Sequence, residues 1–162
     1  MIMKSTLIIF VILFFSCNLK GQNLSDLDSL INKSLVYYLE NRKELNRKTI
    51  VSDSYFKNLY LLIDNFPRNI QFCEEVQKMQ IPYISLINPP IKHMKKGNNY
   101  YVIFLNMTLQ NNKLDIMFTD SVVTLVNKKS INQAISDWGI YTFEYSCQSQ
   151  QWILVETKYS GI

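Results

Sequence analysis

The sequence predicts an α+β domain in which N-terminal helices pack on a four- to five-stranded, mainly antiparallel sheet. Apolar residues recur at intervals of three and four over residues 24–47, which is the period of a helix. From Ile81 onward the period changes to two, which is the period of a strand. Helical segments followed by a run of strands are typical of the α+β class. At 162 residues the chain is long enough for one domain, predicted over residues 24–162.

Three helices are predicted in the first half of this domain. The first covers residues 24–47 and presents one apolar stripe. A second helix is predicted to begin at Asp53 or Ser54 and to end before Pro67, because proline cannot continue a helix. A third, short helix is predicted within residues 69–79.

The strands are predicted in the second half. They cover residues 81–87, 101–109, 138–147 and 151–157. A further strand begins at Lys113 and pairs with the strand over residues 101–109. Asn111 and Asn112 tolerate positive φ angles and therefore suit a two-residue hairpin loop. Pairing Gln110 with Lys113 sets apolar residues opposite one another on one face, whereas a slip by one residue mixes apolar and polar residues. This register is therefore predicted.

Composition and charge exclude some classes of protein. Hydrophobic residues make up 48% of the chain and charged residues 19%, which is typical of a packed globular domain. The formal net charge is +4, and the basic residues are scattered in pairs. A nucleic-acid binder concentrates positive charge on one surface, so no nucleic-acid partner is predicted.

Residues 1–22 are predicted to be a signal peptide or a lipoprotein leader. Lys4 precedes an unbroken apolar run from Leu7 to Phe15, the arrangement of an export signal. A membrane-spanning helix needs about 20 apolar residues, so this run is too short to be a permanent anchor. The protein is predicted to be exported.

The stretch FFSC at residues 14–17 resembles the lipobox of small exported lipoproteins of Bacteroidetes-type bacteria. This resemblance implies that Cys17 is acylated and becomes the mature N-terminus. The protein is then a lipid-anchored component of the cell envelope, at the outer membrane or in the periplasm. Cleavage near Gln22 is the alternative, and it implies a secreted soluble protein.

Cys73 and Cys147 are the two cysteines that remain after the leader. In an oxidising compartment they are candidates for a disulfide bond. Two buried thiols are the alternative, because free cysteine is among the most buried residue types.

Few residues are candidates for chemistry. His93 is the only histidine, and its polar neighbours favour a solvated loop over a catalytic base. No catalytic residue, metal site or cofactor is predicted. The three carboxylates Asp115, Asp120 and Asp137 are interpreted as surface charges near strand ends. The many aromatic residues are interpreted as core, with a pocket for an apolar or sugar-like ligand as the alternative.

These observations favour a non-catalytic binding or interaction module, with an envelope protein or a small ligand as its unidentified partner. One alternative is a hydrolase-like periplasmic enzyme with a site assembled around His93. Another is a periplasmic inhibitor or immunity-type protein, which requires an exposed apolar patch or an open sheet edge.

Overall fold

The computed structural model describes residues 24–47, 54–85, 94–127 and 130–161, in which one long helix packs on a six-stranded mixed sheet. The helices are α1 (Leu24–Arg47), α2 (Ser54–Lys57) and α3 (Glu74–Lys78), and Ile63–Asn65 forms one 3-10 turn. The strands are β1 (Leu59–Leu62), β2 (Tyr83–Ile84), β3 (Asn99–Gln110), β4 (Lys113–Asn127), β5 (Ser130–Ser146) and β6 (Gln151–Gly161). Their spatial order is β2-β1-β3-β4-β5-β6.

The predicted fold class is wrong in its balance of helix and sheet. The second predicted helix ends at Lys57, and β1 follows almost at once. β1 pairs in parallel with β3 on one side and with β2 on the other, with Leu61 opposite both Ile103 and Tyr83. This double pairing satisfies the backbone hydrogen-bonding groups of β1. It outweighs the helical spacing of the apolar residues, which predicted a helix here. The sheet is therefore mixed, with six strands instead of four or five.

The predicted hairpin register is confirmed. β3 and β4 pair continuously from Gln110 opposite Lys113 to Asn99 opposite Thr124. Asn111 and Asn112 have φ angles of 49° and 63°, as a loop of this kind requires. β5 begins at residue 130 instead of 138, because its polar first half pairs with the second half of β4, from Asn127 to Asp120.

The main core lies between α1 and one face of the sheet, called here the inner face. Its fully buried side chains come from α1 and from the central strands: Ile31, Leu35, Tyr38, Leu39, Leu59, Leu61, Ile103, Leu105, Ile116, Phe118, Tyr141 and Phe143. The interpretation of Tyr38, Tyr141 and Phe143 as core is thereby confirmed. Burial of this apolar surface fixes α1 against the sheet.

A smaller core lies on the opposite face, called here the outer face. It contains Leu62, Ile84, Met94, Tyr100, Val102, Val123 and Leu125. Register places the six strand residues among these on the positions that alternate with the inner core, and Met94 lies in the segment before β3. In β4 and β5 this core extends to Val123, Leu125 and the partly buried Ile131, whereas Met117, Ile135, Trp138 and Ile140 on the same face lie outside it in the described part of the chain.

Candidate functional site

A buried network of five charged or hydroxyl side chains joins α1 to the inner face. Arg42 of α1 is 4% exposed, and Asp120 of β4 is fully buried. Arg42 Nη1 lies 2.8 Å from Asp137 Oδ2, and Arg42 Nη2 donates a hydrogen bond to Tyr38 Oη at 3.0 Å. Arg42 Nε lies 3.3 Å from Asp120 Oδ2 in electrostatic contact, without hydrogen-bond geometry. The Tyr55 hydroxyl donates to the same Asp120 oxygen at 2.5 Å.

Burial dominates the protonation chemistry of this network. It raises the pKa of Asp120 to about 6, although the Tyr55 hydrogen bond and the Arg42 charge act in the opposite direction. Asp120 Oδ1 is buried and has no hydrogen-bond partner among the described residues. Burial, reinforced by the Asp120 charge, raises the pKa of Tyr55 and of Tyr38 well above the ordinary value. Both phenols are therefore neutral at physiological pH.

The local sheet geometry explains why the network needs a cation. Asp120 and Asp137 are direct cross-strand partners, beside a register shift between β4 and β5. Like charges in this position repel each other, and Arg42 contacts both carboxylates. The absence of a side chain at Gly139 leaves room for the Tyr38 ring, because a Cβ at this position would lie 2.9 Å from Tyr38 Cδ2.

The interpretation of Asp120 as a surface charge is wrong. Its side chain continues the inner-face row of Leu114, Ile116 and Phe118, with which it shares the period of two. Arg42 likewise lies on the apolar stripe of α1, four residues after Tyr38. A charged residue within an apolar row on each of two elements was the sequence signal for a buried ion pair.

The buried network stabilises the contact between α1 and the sheet. Arg42 and Asp120 have almost no solvent exposure, so a substrate has no path to them. The two clefts described below are lined by other residues. We therefore assign this network a structural role.

The structure places the remaining predicted site residues as follows. Cys17 and His93 lie outside the described residues. Cys73 is half-buried beside the main core and Cys147 is exposed, and both are free thiols in the structure. Within the described ranges, no three His, Cys, Asp or Glu side chains are grouped to hold a metal ion.

An apolar patch lies on the outer face over β3–β5. It consists of Phe104, Met117, Ile135, Trp138 and Ile140, called here the outer patch. Register places Met117 opposite Ile140, and Phe104 and Trp138 on either side of Thr119. Ile135 is 57% exposed, and the other four members are partly exposed. The outer patch is therefore an apolar surface that the described chain leaves open.

The outer patch has a polar surround and one unsatisfied group near its centre. The Thr142 hydroxyl donates to Asp115 Oδ1 at 2.6 Å, and Lys158 Nζ lies 2.9 Å from Glu156 Oε1. Thr119 Oγ1 is buried and lacks a hydrogen-bond partner in the described part of the chain. An apolar centre with aromatic residues and a polar rim is the usual composition of a protein interface.

A cleft of about 610 Å³ lies between α1 and the segment before α3. Asn32 fixes the two walls, because its side chain donates to Gln71 O at 2.8 Å and accepts from Cys73 N at 2.8 Å. The walls also carry Lys33 and Tyr37, whose charge and ring lie 6.0 Å apart. This cleft is open and mixed in polarity, whereas small-molecule sites are mostly apolar with a few convergent polar groups.

Comparison with protein-family models, curated proteins and solved structures finds no match to this chain. None of the helices in the described ranges has both the length and the apolar character needed to cross a membrane.

Proposed function

We propose that this chain is an exported, non-catalytic interaction module of the cell envelope, anchored by a lipid on Cys17, and that it binds a partner protein. The outer patch is the observation that supports this function. It is an open surface on a sheet face, and such surfaces suit another protein, whereas small ligands take concave sites.

The chemistry of the outer patch supports a protein partner in two further ways. Trp138 is an aromatic side chain on an open face, and tryptophan is enriched among the residues that dominate binding energies. The neighbouring Thr119 hydroxyl is unsatisfied, and a buried polar group without a partner costs free energy in the unbound protein.

A periplasmic inhibitor or immunity-type protein is the second candidate. It requires an exposed apolar patch or an open sheet edge, and both are present. Among the described residues, β6 is one of the two edge strands of the sheet, with Ile153, Val155 and Tyr159 between 44% and 49% exposed. The identity of the partner separates the two candidates, because an inhibitor binds an enzyme and reduces its activity.

The test of partner binding is site-specific photo-crosslinking in the native host. A photoreactive phenylalanine analogue at Ile140 is compared with the same analogue at Lys43, an exposed position on α1. We expect one discrete heterologous product from position 140 and none from position 43. A second substitution, Met117→Glu, is expected to abolish that product without changing the thermal midpoint. Equal products from both positions, or monomer alone, contradict the proposal.

Mass spectrometry of the mature N-terminus tests the anchor separately. A diacylglyceryl group on Cys17 that is absent from a Cys17→Ala variant supports it. A mature chain that begins at Gln22 or Asn23 excludes it, and leaves partner binding to be decided by the crosslinks.

A further inference from the structure

A second apolar surface lies at one end of the sheet, called here the turn end. The β3–β4 turn and the β5–β6 turn both lie there, since Lys113 pairs with Glu144 and Asn112 Nδ2 donates to Tyr145 O at 2.8 Å. α1 also begins at this end. A cavity of about 230 Å³ lies between them, lined by Asp26, Leu27, Leu30, Met107, Leu109, Leu114 and Trp152.

The turn end exposes large apolar side chains. Leu109 is 65% exposed and Met107 is 38% exposed, although both lie on the inner face, where Ile103 and Leu105 of the same strand are buried. Trp152 is partly exposed beside them. The cavity lining is almost entirely apolar, with Asp26 as its one charged member. Exposed apolar side chains around an apolar cavity indicate a binding surface.

The chain itself indicates what this surface contacts. Six residues separate Cys17 from Leu24, the first residue of α1. Because the chain spans at most roughly 3.6 Å per residue, α1 begins within roughly 25 Å of Cys17 in any conformation. These six residues, Asn-Leu-Lys-Gly-Gln-Asn, contain a single apolar side chain. An acyl anchor on Cys17 therefore holds the turn end close to the bilayer.

We infer that the turn end docks on the lipid bilayer, with Leu109 and Trp152 in the interfacial region, so that the protein has one fixed orientation on the membrane. This inference rests on the proposed acylation of Cys17. Tryptophan prefers the membrane interface, where its ring contacts apolar chains and its N–H group contacts water. Docking is driven by apolar burial, because Lys113 and Glu144 at this end offset each other in charge, with 3.9 Å between their charged atoms.

Fluorescence of Trp152 in the acylated mature protein tests the orientation. A Trp138→Phe background leaves Trp152 as the only tryptophan. On phosphatidylcholine vesicles with brominated acyl chains, we expect strong quenching of Trp152, little changed by anionic lipid. In a Trp152→Phe background, Trp138 on the outer face is expected to stay unquenched. Quenching of Trp138 in place of Trp152, or of neither, overturns the inference.

The mature chain with Cys17→Ala tests the surface without the anchor. Leu109→Ser is expected to weaken its partitioning into phosphatidylcholine vesicles about tenfold, from the apolar area of one leucine. Ile135→Ser is the matched control, because Ile135 is similarly exposed but lies on the outer face. Equal losses in both variants, or no binding by the parent, overturn the inference. This arm is independent of acylation in the host, so failure of the anchor and failure of docking are distinguishable.

Discussion

Replacement of Arg42 by methionine tests whether the buried network depends on its cation. Methionine keeps much of the packing against the Tyr38 ring, over which the guanidinium lies at 5.1 Å from the centroid. It removes the charge that faces Asp120, which is fully buried, and Asp137, which is 25% exposed. Water can hydrate the Asp137 carboxylate, but Asp120 remains buried with the Tyr55 hydroxyl as its hydrogen-bond donor.

The expected loss depends on pH. Removing one partner of a buried ion pair costs about 3–5 kcal/mol, because the other charge is left uncompensated. At pH 8 we expect a loss of this size in the free energy of unfolding. At pH 5 we expect about 1–2 kcal/mol, since a protonated Asp120 needs no cation and the losses are the contacts with Tyr38 and the partly exposed ion pair with Asp137.

The direction of this pH dependence of stability follows from the raised pKa of Asp120. Its value in the folded protein is about 6, against roughly 3.9 for an aspartate in an unfolded chain. As the pH falls through 6, the folded state therefore binds a proton before the unfolded state does, and stability rises down to about pH 4. Without Arg42 the pKa of Asp120 in the folded protein is higher still. As the pH falls, the Arg42→Met variant therefore gains more stability than the parent does.

Urea unfolding at pH 8 and pH 5 measures these differences. Arg68→Met is the control, because Arg68 is exposed in the segment before α3. In the double variant Arg42→Met/Asp120→Asn, the uncompensated charge is absent and most of the loss at pH 8 should be recovered. A loss for Arg42→Met that is equal at both pH values, or no larger than that for Arg68→Met, would refute the reasoning.

Substitutions at three other positions have expected outcomes in urea unfolding. Tyr55→Phe removes the hydrogen bond to Asp120 and should cost about 1.5–3 kcal/mol at pH 8 and less at pH 5; an equal cost at both values counts against the raised pKa. Gly139→Ala introduces a Cβ 2.9 Å from the Tyr38 ring and should cost about 1–3 kcal/mol, and a neutral result means that the ring moves freely. Asn112→Ala should cost about 1–2 kcal/mol more than Asn112→Gly, because both lose the hydrogen bond to Tyr145 O but only alanine is strained at a φ of 63°.

Local patterns in the sequence determined the elements whose backbone partners are close along the chain. The apolar stripe of residues 24–47 predicted α1, because an amphipathic helix has its hydrogen bonds within itself. The β3–β4 register was predictable because adjacent asparagines fix the loop and the period of two fixes the face. The leader over residues 1–22 stays a prediction, because it lies outside the described residues and rests on a short charged and apolar segment alone.

Tertiary structure decided the features that depend on residues distant in sequence. Leu59–Leu62 is a strand because β3 and β2 pair with it from both sides, and β3 begins 37 residues after β1 ends. The buried network joins Arg42 and Tyr55 to Asp120. The apolar rows that contain Arg42 and Asp120 indicate burial, but the local sequence does not indicate which residues pair with each other. The outer patch is open because the described chain places its one long helix on the inner face. Met107 and Leu109 are exposed because they lie at the end of the inner face where α1 begins. Which apolar residues become core and which become surface therefore depends on where α1 packs, because an apolar side chain is buried only where another element covers it.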